Sequence, residues 1–66
     1  MITAVAMYCI IIVESGYRRE ECQPIHEVMH QSWTKEDCDN WLRQENRRWK
    51  NEGWRVQMSF CVNTTI

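Results

Sequence analysis

The stretch TKEDCDNWLRQENRRWKNEG, residues 34–53, decides the architecture. Thr34 is a good N-cap and Asp37 stands three residues on, as in a capping box. Glu36, Asp37 and Asp39 fall in the first turns, where the helix dipole favours negative charge. Arg47, Arg48 and Lys50 favour the opposite end, and Gly53 is placed to stop the helix in a left-handed cap. Cys38, Trp41, Leu42, Glu45 and Trp49 recur at helical spacing, an inward stripe that is apolar except at Glu45. Thr34 to Asn51 therefore reads as a helix of about four to five turns.

Strand patterns flank it. Val5 to Val13 is rich in β-branched residues and apolar at both parities, with Tyr8, Ile10 and Ile12 on one side and Cys9, Ile11 and Val13 on the other. Such a run suits a central strand covered on both faces, or on one face and an interface. Glu14-Ser15-Gly16 ends it, with Gly16 able to take a positive φ. The polar residues 17–23 read as an exposed connection. Pro24 to Trp33 fits two periods: a helix opening at Pro24 with Ile25, Val28 and Met29 on one side, or a short edge strand. Trp54 to Val62 alternates, placing Trp54, Val56, Met58, Phe60 and Val62 on one face and Arg55, Gln57, Ser59 and Cys61 on the other. The fold class expected is α+β, a small β-β-α-β unit whose antiparallel or mixed sheet is packed on one face by a single long helix.

At 66 residues the chain is expected to be one domain, 1–66, burying only about 60% of the surface its unfolded form exposes. Trp33, Trp41, Trp49 and Trp54, with Tyr8, Tyr17 and Phe60, supply the large apolar surfaces. The apolar start, Met1 to Val13, is too short for a membrane span and lacks the basic region and cleavage site of a signal peptide. The expectation is a cytoplasmic protein with no membrane contact, in which Cys9, Cys22, Cys38 and Cys61 are reduced thiols. In an oxidising compartment three pairings would be open.

The formal charge of −1 argues against a surface that traps nucleic acid everywhere. The charge is nevertheless uneven: residues 1–41 carry seven acids against three bases, and residues 42–66 five bases against two acids. Arg43, Arg47, Arg48, Lys50 and Arg55, interleaved with Trp49 and Trp54, form a candidate nucleic-acid contact, although a basic last turn is also what a helix dipole attracts. Cys22, His26 and His30 are spaced four apart, and with Cys38 they make a candidate zinc set; no other cofactor is expected. Pro24 interrupts that spacing and the paired Cys-x-x-Cys knuckle is lacking. No catalytic residues are expected: no signature joins a cysteine to a base, and Gly16 and Gly53 cannot make a phosphate loop.

Thr34 to Cys38, then Leu42, then the strand Val56 to Cys61 resemble a family of small lambdoid prophage proteins, similar to the double-strand break reduction type. Trp33 stands where that family often has leucine, and Met7-Tyr8-Cys9-Ile10 resembles its initiating segment, which would make residues 1–6 an extension. The stretch from Tyr17 to His30 departs from the family pattern. The resemblance implies a phage accessory protein acting near host replication or repair, and the exposed sheet edges and surplus aromatics suit a non-enzymatic protein that works by binding a host protein. A nucleic-acid module and a zinc-stapled domain are the rivals. Exposed sheet edges leave a homodimer open as a further partner arrangement.

Overall fold

The computed structural model describes residues 1–63, as one antiparallel sheet and one helix. In chain order the elements are β1 (Ile2–Glu14), β2 (Tyr17–Cys22), β3 (His26–His30), α1 (Lys35–Asn51) and β4 (Arg55–Asn63). The α+β expectation holds, with one strand more than the β-β-α-β order allowed. The polar run after Gly16 is strand β2, not a connection, and the ambiguous Pro24 stretch supplies a strand.

Two backbone devices set this layout. Ser15 and Gly16 both adopt positive φ, 49° and 83°, the requirement of a two-residue hairpin loop whose twist matches its strands. Glu14 therefore faces Tyr17, and the register runs back to Cys9 opposite Cys22. Past the Pro24 interruption β3 resumes along β1, from Ala6 opposite His26 to Ile2 opposite His30. Residues 2–6 of β1 pair with both β3 and β4, so those two strands lie on opposite edges. Cys9 pairs with β2 and β4 alike, which puts β2 on the β3 edge. Beyond Cys9 the β4 ladder stops, and Ile10–Glu14 with β2 projects as a two-stranded arm. The molecule measures 49 × 23 × 11 Å, thin enough for two layers only.

The helix forms as its caps dictate. Thr34 N–H donates to Asp37 Oδ2 at 3.0 Å, and Asp37 N–H donates to Thr34 Oγ1 at 3.2 Å. At the other end Trp54 N–H donates to Trp49 O and Gly53 N–H to Lys50 O, both at 3.0 Å. Gly53, at φ 94°, thus closes a Schellman motif, with Trp54 against Trp49 as its apolar contact at 5.5 Å between ring centroids.

The core lies between α1 and the even-numbered face of β1. Ala4, Ala6, Tyr8, Cys38 and Leu42 are buried there, with Trp33, Trp41, Trp49, Trp54, Val56 and Cys61 packed around them. Trp49 stacks on Tyr8 at 5.0 Å, and the Tyr8 hydroxyl donates to Asn46 Oδ1 at 2.7 Å. Alanines on the strand let the helix approach closely enough for these rings to meet.

Two further expectations from the sequence do not hold. The alternation of β4 is broken by a bulge at Gln57: Met7 faces Met58, but Tyr8 faces Val56. An extra residue shifts side-chain parity, so Trp54 and Val56 face the helix while Met58, Phe60 and Val62 face the opposite side. Second, the cysteines are not free thiols. Cys9 is bonded to Cys22 and Cys38 to Cys61, with none left over. Gln23 N–H donates to Tyr8 O, so the Cys9–Cys22 pair falls at a non-hydrogen-bonded site, where cross-strand Cα atoms approach most closely. The bulge turns Cys61 toward the helix, within reach of Cys38.

Candidate binding surfaces

The odd-numbered face of β1 has no helix or strand over it among the described residues. Cross-strand pairing assembles it in rows: Met29, Thr3 and Val62; then Glu27, Val5 and Phe60; then Met7 and Met58. Apart from Thr3 and Glu27 these side chains are apolar. Val5, Met7 and Met58 are half-buried by their neighbours, while Phe60 is 45% exposed and Met29 64%. Farther along, the same face carries the Cys9–Cys22 bridge and an ion pair, Arg55 Nη2 to Glu20 Oε2 at 2.7 Å. Ile11 and Val13 then continue it along the arm, 52% and 64% exposed. Methionine suits such a surface, because a flexible, polarisable side chain adapts to whatever covers it.

The second surface lies on the helix. Arg43, Asn46, Arg47, Lys50 and Asn51 line a depression of about 350 Å³. Asn46 is held at its base, with Oδ1 accepting from Tyr8 and Nδ2 donating to Ser59 Oγ at 3.0 Å. Of the five bases expected to contact nucleic acid, only Arg43, Arg47 and Lys50 meet here. Arg48 is tied to Glu45 at 2.8 Å and lies over the Trp49 ring, and Arg55 is tied to Glu20. Neither Trp49 nor Trp54 joins the depression, because both pack on the core.

The residues proposed for zinc are not brought together. Cys22 is bonded at the base of the arm and Cys38 in the core, and a disulfide sulfur lacks the thiolate that zinc requires. His26 packs edge-on against Tyr8 and Trp49, and His30 stacks on Trp33 at 4.7 Å. Cys9, Glu20 and Cys22 do cluster within 4.8 Å, but the two sulfurs in that group are bonded to each other. Among the described residues no helix is long and apolar enough to cross a membrane.

Comparison with known proteins gives no matching family model, no matching curated protein and no matching solved structure. The functional reading therefore rests on the surfaces themselves.

Sequence reasoning missed three of the features that build them. Asn46 stands eight residues after Cys38 and four after Leu42, on the inward side of the helix, and this spacing was its signal. The Cys9–Cys22 pair was recoverable from the turn, since a two-residue loop at Ser15-Gly16 sets those positions opposite each other. The bulge at Gln57 has no comparable signature.

Proposed function

We propose that this chain is a small, disulfide-braced, non-enzymatic binding domain that engages a partner protein through the open face of its sheet. One observation carries the reading: Val5, Met7, Met29, Met58, Phe60 and Val62 form a contiguous apolar surface with no element of the described chain over it. Exposed apolar patches rimmed by charge mark interaction sites in soluble proteins. Here Glu20, Glu27 and Arg55 supply the rim, with Phe60 on the edge strand as the aromatic anchor.

The resemblance of the helix start and last strand to prophage proteins supports a phage accessory protein with a host protein as its target. The two bridges favour an oxidising setting for the folded state over the reducing cytoplasm expected from the sequence, and this weakens a target at replication or repair. The bridges involve all four cysteines, whereas the resemblance rests on few residues.

The test is capture from a host lysate under non-reducing conditions, comparing the native chain with a Met29→Asp/Phe60→Asp variant. A protein retained by the first and lost by the second supports the reading; the same set retained by both overturns it. Sedimentation of the purified chain covers the remaining occupant: a dimer that the double variant dissociates would assign the face to a second copy of the chain.

A further inference from the structure

We infer that the depression on α1 is a second binding site, separate from the sheet face, and that it takes the phosphate backbone of nucleic acid without reading its sequence. Several of the chain's cations are already neutralised. Arg19 pairs with Glu14 and Glu21, Arg48 with Glu45, and Arg55 with Glu20. Arg43, Arg47 and Lys50 have no carboxylate within ion-pair distance among the described residues; Arg43 Nη1 reaches only Asn40 Oδ1, at 3.4 Å. Three free cations thus collect in one depression whose other lining groups are both asparagines.

The helix dipole accounts for Lys50 but not for the whole grouping. Its attraction for cations is confined to the last turn, which holds Arg48 and Lys50. Arg43 and Arg47 lie before it.

Spacing and chemistry select the ligand. Positions 43, 47 and 50 share one helix face and span about 10 Å along the axis, the rise of about three phosphates on one strand. Guanidinium groups bind phosphate oxygens in bidentate fashion. No aliphatic or aromatic residue lines the depression, so its apolar area is limited to the stems of its own polar side chains, and no aromatic is placed to stack a base. Contacts limited to phosphate give weak, salt-sensitive and sequence-independent binding.

The experiment is fluorescence anisotropy of a labelled duplex with the full chain, in non-reducing low-salt buffer across a salt series. Three phosphate contacts give a slope of log K against log salt of about −2.7, and removing two contacts brings it to about −0.9. Two variants change net charge equally: Arg43→Gln/Arg47→Gln and Arg48→Gln/Arg55→Gln. The first is expected to weaken binding at least tenfold with the smaller slope, and the second to leave it within about twofold, with circular dichroism verifying both folds. Equal losses in the two variants would overturn the site, reducing it to net charge. No binding at low salt would overturn it as well. Binding to phosphatidylglycerol vesicles or to poly-glutamate in preference to the duplex would overturn the ligand.

Discussion

The two faces of β1 are built from different side chains. On the covered face Ala4 and Ala6 sit beneath the helix with Tyr8, and the tryptophan rings that fill the layer come from α1 (Trp41, Trp49) and from the residues just outside it (Trp33, Trp54). On the open face the strand carries Val5 and Met7, joined by Met58 and Phe60. The covered face also takes Ile2 and is braced by a disulfide and by the Tyr8–Asn46–Ser59 hydrogen bonds, whereas Met29 and Phe60 on the open face stay partly in solvent. The difference teaches that one face is closed by the helix and its rings while the other leaves its apolar residues without any described element over them, which is the feature the proposed binding role rests on.

The largest expected effect sharpens that contrast through the disulfides, one on each face. Removing the helix-to-sheet bridge with Cys38→Ala/Cys61→Ala, 23 residues apart, should cost roughly 3.5 kcal/mol from loop entropy alone, with a core gap added. Removing the cross-strand bridge with Cys9→Ala/Cys22→Ala, 13 residues apart, should cost about 3 kcal/mol or less, because the hairpin turn already holds those strands together. Urea unfolding ranks the two; the reverse order would break the comparison.

Leu42→Ala, which opens a cavity beneath the helix, should cost about 3 kcal/mol in the same measurement. Gly16→Val comes next, at roughly 1–2 kcal/mol, because a β-branched residue is strained at φ 83° although the space around it is empty. Its damage should be local. Amide exchange is expected to quicken in Ile10–Cys22 while α1 stays protected.

The smallest effect is on pH. Burial, and then the Glu45 carboxylate, raise the Tyr8 phenol above its usual value of 10. The neutral phenol's contribution is fully present below about pH 10 and is lost as pH rises through the raised value. Tyr8→Phe should therefore be less stable by about 1 kcal/mol at neutral pH, through the lost bond to Asn46, and should lose less on going to about pH 11. Thermal melts at the two pH values check the crossing trend.

How much of this was legible in the sequence follows from where the governing forces act. The helix was readable to its caps, because Thr34, Asp37 and Gly53 act on backbone groups a few residues away. Both parities of Val5 to Val13 marked a central strand, as β1 is, but left open whether both faces or only one would be covered within the chain. Strand β2 was not readable: on an arm exposed on both sides the sequence need not alternate, and Arg18 to Glu21 show only charge. The split of β4 was hidden because one unpaired residue, Gln57, reverses every side chain beyond it without altering the apolar pattern. Of the basic cluster, sequence supplied the members but not the partners. Glu45 lies three residues before Arg48, a spacing visible beforehand, whereas Glu20 reaches Arg55 only through the sheet.

The most direct test of the open face is the unfolding free energy of Phe60→Asp. Phe60 lies outside the core and half in solvent, so the account predicts a loss of no more than about 1 kcal/mol, well below that of Leu42→Ala. A loss as large as that of Leu42→Ala would contradict it, showing that Phe60 belongs to this chain's own core and that the face is not free for a partner.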